Sequence, residues 1–157
     1  MHTHGVERLI DVRTAPGSRR MPHFARASLE ASLPAHGIEY MHMPALGGLR
    51  KPLRDSVNNA WRNDSFRGYA DYMQTDEFWR AIENLQELAA SKRTAIMCAE
   101  AVPWRCHRSL VADALVARAT EVRHITGRGE PSPHRLTPFA VVANGRITYP
   151  GTDTLAF

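Results

Sequence analysis

Three short apolar runs, each closing on a loop rich in charge, glycine or sulfur, set the strongest limit on what this chain can become. Leu9-Ile10-Asp11-Val12-Arg13 and Thr94-Ala95-Ile96-Met97-Cys98 are too short for helices and read as buried strands. Ile38 to Met43 alternates apolar and polar residues and reads as a third strand. Helical patterns fill the intervals. Phe24 to Leu33 has apolar residues near one face and is stopped by Pro34 and Gly37. Phe66 to Met73 reads as a short helix, and Leu53 to Ser65 before it as irregular. Thr75 is placed to cap a longer helix, with Asp76 and Glu77 in its first turn, where the helix dipole favours negative charge. Phe78, Ile82, Leu85 and Leu88/Ala89 then recur at helical spacing. Leu110, Val111, Ala114 and Leu115 mark a further helix.

Past that helix, Glu121 to Ile125 reads as the last parallel strand and Gly127 to Pro138 as a long loop. Asn144-Gly145 between two strand-like segments is a two-residue hairpin signal, because both positions need positive φ. Strands alternating with helices imply a mainly parallel sheet. The expected fold is a three-layer, Rossmann-like α/β domain with a small C-terminal β-hairpin, spanning residues 1–157 as a single domain.

The 157 residues suit one core, and 43% of them are hydrophobic, enough to fill it. No apolar run approaches the roughly 20 residues needed to cross a bilayer. The first residues are not followed by the apolar stretch of a signal peptide. Two cysteines without such a signal predict free thiols in a reducing compartment, hence a cytoplasmic protein. The net charge of +4 favours anionic partners without separating nucleic acid from phosphorylated metabolites.

In open parallel sheets, ligands bind beyond the carboxyl ends of the strands. The chemistry-bearing residues fall there three times: Arg13, Ser18, Arg19 and Arg20 after the first strand; Gly47, Gly48 and Arg50 after the second; Cys98 to Arg108 after the third. Guanidinium groups bind carboxylate or phosphate through paired hydrogen bonds. Arg13, Arg19, Arg50 and Arg108 are therefore the candidate anion ligands, against the simpler reading that each pairs with an acid such as Asp11 or Glu100. Gly47 and Gly48 would let backbone approach a ligand. The helix beginning near Cys106 would add free N–H groups and its positive dipole end. Glu100 and His107 are the candidate proton-transfer groups, and each has a structural alternative, an ion pair or a satisfied histidine.

Cys98 and Cys106 leave several readings open. Cys98 at a strand end is placed like a phosphatase nucleophile, but six residues separate it from Arg105 where such loops have five. Cys98, Cys106 and His107 could supply some ligands of a metal site, although no C-x-x-C spacing is present. Cys98 could equally be a small buried hydrophobe on the pocket floor. Cys106, near a helix start, could have a lowered pKa, and a transient disulfide would need both residues. Tyr69 and Tyr72, with Asp71 and Asn63, could wall a pocket or stack on a base. Aromatics at that spacing more often pack in a core, and Trp61, Trp79 and Trp104 read the same way. His134 to Pro138 reads as surface loop, or as a lid.

Asp11-Val12-Arg13 with Pro16, Ser18-Arg19, Pro22 and Phe24 forms one block of a wider pattern. Gly37-Ile38, Tyr40, Leu46-Gly47-Gly48 and Arg50 form a second, Phe66 with Tyr69 to Met73 a third, and Met97 to Glu100, Pro103 and Cys106-His107-Arg108 a fourth. Together they resemble the domain of unknown function 488 family of bacteria and archaea. Pro133-His134, Leu136 to Phe139 and Gly145 to Pro150 resemble the tail of one subgroup. The resemblance implies a Rossmann-like fold with a pocket built from these motifs, and no reaction. It also implies that this chain lacks a strand and helix that precede Asp11 in relatives, or begins at a downstream start; a missing strand would expose a sheet edge and favour a homodimer.

The function expected from the sequence is an enzyme or former enzyme holding a small anionic ligand, carrying phosphate or carboxylate and conceivably a nucleotide, at the strand ends. No cofactor is assigned. A basic nucleic-acid-binding module is the first alternative, and a redox or metal protein using Cys98 and Cys106 the second.

Overall fold

Strand β1, Arg8–Asp11, is buried at all four positions. A strand can be so only when both its edges are paired and both its faces covered. Its neighbours are β2, Glu39–His42, and β3, Thr94–Met97, in the order β2-β1-β3, all parallel. The structure, a computed structural model, describes residues 1–152.

Side chains alternate between the two faces of a strand. Leu9 therefore packs with Leu29 and Leu33 of helix α1, Arg26–Ala35, and with Ile38, Tyr40, Ala95 and Met97. Ile10 and Val12 point the other way, into the larger core. That core is built on α2, Asp64–Tyr72; α3, Asp76–Ser91; and α4, Arg108–Ala117. One helix on one face and three on the other make three layers, an α/β arrangement. Among the described residues β3 is paired only with β1, and its outer edge lies along a groove of about 1230 Å³.

Pro34 does not stop α1, which runs through it to Ala35, whereas the capping and turn signals act as expected. Asn63 caps α2 by accepting from the N–H groups of Ser65 and Phe66, and Thr75 caps α3 by accepting from Phe78 N–H. The irregular segment before α2 is held by the buried Asp71, which accepts from Leu53 N–H, Ser56 Oγ and Asn58 Nδ2. Strands β6, Val141–Ala143, and β7, Arg146–Thr148, form the hairpin across Asn144 and Gly145, whose φ angles are 52° and 70°. Ile147 and Tyr149 anchor it in the larger core. No helix among the described residues is long and apolar enough to cross a membrane.

Two sequence expectations are corrected. Glu121 to Ile125 is not a strand of the parallel sheet. Only Arg123–His124 forms a strand, β4, paired antiparallel with β5, Ser132–Pro133. Glu121, Arg123 and Ile125 are exposed, and a doubly covered strand cannot carry two charges outward. Trp104 is not core: it is 70% exposed, because the turn Pro103–Arg105 buries Pro103 and directs its neighbour into solvent. Trp79 is buried, and Trp61 stacks on Phe66 with ring centroids 4.8 Å apart.

Candidate active site

The parallel pairing of β1 with β3 brings the ends of both strands to one rim of the sheet, with Asp11 opposite Met97 and Val12 N–H donating to Met97 O. The residues just beyond, Arg13 and Cys98, share the lining of a cavity of about 440 Å³. Gly48 from the loop after β2, Phe66 from α2, and Glu100, Arg105, Cys106 and His107 from the segment leading into α4 complete most of it. Three separate strand-end loops do meet at this cavity.

The four arginines expected to converge do not all do so. Arg13 lines the cavity, but it is 7% exposed and its Nε and Nη2 donate to both carboxylate oxygens of the fully buried Asp11, at 2.8 and 2.5 Å. Tyr40 Oη donates to the same carboxylate at 2.6 Å. Burial works to raise the Asp11 carboxyl, and the bonds from Arg13 and Tyr40 outweigh it, leaving it below the ordinary value. Arg50 lies over the Tyr72 ring, 3.5 Å from its centroid, and donates to Gly47 O and Ala45 O. Arg19 is exposed on the loop after β1. Arg108 donates to Glu100 O and to Cys106 Sγ. Arg105, which sequence reasoning used only as a spacing marker, does line the cavity.

The sulfur atoms and the imidazole are the groups brought closest together. His107 Nδ1 lies 3.8 Å from Cys98 Sγ and 3.7 Å from Cys106 Sγ. His107 occupies the N-cap of α4, as expected of a residue at a helix start. Cys106, 2% exposed, also receives the backbone N–H of Arg108 at 3.5 Å and its Nε at 3.4 Å. The hydrogen bond from Cys98 and these two donors, against the opposing effect of burial, bring the Cys106 thiol down to about 6. The same bond to Cys106, together with burial, pushes Cys98 up to about 12. The two shifts run in opposite directions because each thiol is the other's hydrogen-bond partner.

Gly48 lines the cavity, and both glycines are closely packed by their neighbours. A Cβ on Gly48 would lie 2.8 Å from Cγ of the His107 ring, and one on Gly47 would lie 2.9 Å from Pro44 O. Gly48→Ala is accordingly expected to push the imidazole off the sulfurs, to cost about 1–3 kcal/mol and to shift the His107 ring resonances in NMR spectra. Unchanged resonances would show that the ring was never held by that contact. Tyr69 and Tyr72 do not line the cavity. Their hydroxyls donate to Leu46 O and Ala45 O, which makes them supports for the Gly47-Gly48 loop. Glu100 is exposed at the cavity rim.

Residues 1–115 match the family described as Domain of unknown function DUF488. The chain belongs to this family. Every residue lining the cavity lies inside the matched segment, whereas β4 to β7 lie beyond it. Neither the curated proteins nor the solved structures include a match to this DUF488 chain.

Proposed function

We propose that the chain is an enzyme acting on a small anionic molecule, seated between Arg13 and Arg105 and presented to the Cys98–Cys106–His107 cluster. The observation that carries this reading is the placement of two thiols and an imidazole in the lining of a strand-end cavity that also holds two guanidinium groups. Asp11 takes Nε and Nη2 of Arg13 and so fixes the guanidinium at the cavity wall, with Nη1 not engaged by that carboxylate. The N-terminus of α4 adds a positive dipole end at the same rim. Glu100 contributes an exposed carboxylate to the lining of the same cavity. A small molecule is favoured over nucleic acid because many surface arginines are paired to acids: Arg26 with Glu30, Arg67 with Asp64, Arg118 with Glu83, Arg123 with Glu121 and Arg146 with Asp76. They form ion pairs rather than a continuous basic face.

The test is alkylation by iodoacetamide, followed site by site by mass spectrometry. Cys106 is expected to react with a pH midpoint near 6, because the thiolate is the nucleophile and forms as pH rises through the thiol pKa, while Cys98 stays slow. Inorganic phosphate is expected to slow the Cys106 reaction, and Arg105→Ala to weaken that protection by roughly tenfold. Equal reactivity of both cysteines, or no protection by phosphate while the protein stays folded, would overturn the reading.

A further inference from the structure

The geometry points to a zinc site formed by Cys98 Sγ, Cys106 Sγ and His107 Nδ1, with its fourth coordination position facing the strand-end cavity. The inference rests on the reading of that cavity as an active site and names the cofactor it would use.

The first support is distance. Zinc binds thiolate sulfur at about 2.3 Å and imidazole nitrogen at about 2.0–2.1 Å, so sulfur and nitrogen on one tetrahedral ion stand about 3.6 Å apart. The two sulfur–nitrogen separations here are 3.8 and 3.7 Å. All three donor atoms lie within 4.8 Å of one another. An ion needs only small side-chain rotations to touch all three.

The second support is the set of atoms left without other work. His107 Nε2 is buried and has no hydrogen-bond partner among the described residues. Nδ1 is the ring atom that faces both sulfurs, and with the proton on Nε2 it presents its lone pair to a cation, leaving that N–H without a protein acceptor. Sulfur–nitrogen separations of this size are long for a hydrogen bond and ordinary for two ligands of one metal. Arg108 provides the outer shell: its backbone N–H and Nε both point to Cys106 Sγ, the kind of donor pair that steadies a metal-bound thiolate.

The third support is chemical type. Two thiolates and one imidazole are soft to borderline donors, which select zinc over magnesium or calcium. A site with three protein ligands and one open position is the catalytic pattern, whereas structural zinc sites close all four. The cavity that the three donors line is also lined by Arg13 and Arg105, so an ion there would share it with two cationic side chains. Two thiolates balance the charge of the dication.

Cobalt(II) titration of the purified full chain tests the site directly, because the chain has only two cysteines and any cobalt–thiolate absorption must come from them. One cobalt per chain is expected, with intense tetrahedral d–d bands that zinc then abolishes. Cys98→Ser, at a half-buried position, and His107→Gln are each expected to weaken binding by more than about 100-fold, beyond the loss typical of an outer-shell partner. Wild-type protein provides a readout that needs no variant: stoichiometric zinc is expected to protect both thiols from iodoacetamide together. Cobalt bands lacking thiolate character, or a Cys106 that alkylates equally fast with and without zinc, would overturn the site. Phosphate protection of metal-free protein would then still support the anion pocket. Zinc binding without phosphate protection in either form would keep the metal and remove the anion reading.

Discussion

Asp113→Ala is expected to destabilise the protein by about 3–5 kcal/mol. Asp113 lies in α4, is 0% exposed, and accepts four hydrogen bonds from the C-terminal part of the chain. His134 Nε2 and Thr137 N–H reach Oδ1 at 2.7 and 3.0 Å, while Thr137 Oγ1 and Tyr149 Oη reach Oδ2 at 2.7 and 2.8 Å. His134 Nδ1 in turn pairs with His124 Nε2 at 2.8 Å. Alanine would leave these donors buried without an acceptor. For a chain of this length, the melting temperature should fall by on the order of 10 °C. Amide exchange should identify the part released: protection is expected to drop first at Ile147 and Tyr149, and to persist in β1. A loss of under about 1 kcal/mol, or exchange that rises evenly over all strands, would show that this carboxylate does not tie the hairpin to α4.

The second large effect is at Asp11. Asp11→Asn removes the countercharge of the nearly buried Arg13 while keeping the shape of the side chain. Breaking one partner of a buried pair typically costs about 3–5 kcal/mol, because the remaining ion stays desolvated and unpaired. The pH dependence follows from the lowered carboxyl. A group with a depressed folded pKa stabilises the fold at pH above its unfolded value, and that stabilisation is lost as pH falls through the folded value. The gap between wild type and Asp11→Asn is therefore expected to be full near neutral pH and to narrow only as pH falls through the lowered carboxyl value, below the ordinary carboxylate range. Melting curves of both proteins at several pH values would measure it. A gap that stays constant into acid would mean the charge of Asp11 contributes nothing.

Asp11 matters to the proposed chemistry as well as to stability. It holds the Arg13 guanidinium in the cavity lining, together with the Tyr40 hydroxyl from β2. The sequence shows Asp11 and Arg13 two residues apart on a strand, hence on one face. It does not show that the fork closes on the carboxylate, because that depends on how far both are removed from water. The same applies to Arg50, which rests on Tyr72 instead of reaching the cavity. A guanidinium is a candidate anion ligand wherever it occurs, and only packing decides which partner it meets first.

The cysteine cluster was partly legible. Cys106 and His107 are adjacent at a helix start, which opened the reading of a lowered Cys106 pKa, but its largest cause, the hydrogen bond from Cys98, comes from the tertiary structure. Cys98 sits at the end of β3, and no spacing rule predicts that the turn Pro103–Arg105 folds back to bring its sulfur to His107. The approach also needs Gly48, which leaves room for the imidazole from another strand-end loop. Family resemblance marked these residues together without saying what joins them.

By itself, the sequence determined what local chemistry can determine. Apolar runs of strand length, caps at Asn63 and Thr75, and the Asn144-Gly145 turn each act through neighbours a few residues away. Parallel order then puts the loops after β1 and β3 on one rim, since both strands point the same way. The tertiary structure alone decided which polar groups lose water together. It left Trp104 in solvent, sent Arg123–His124 to a separate two-stranded ribbon, buried Asp113 under partners 21, 24 and 36 residues away, and gathered two sulfurs around one ring nitrogen. The energies that settle such choices come from desolvation, which depends on everything packed around a group and leaves no periodic trace along the chain.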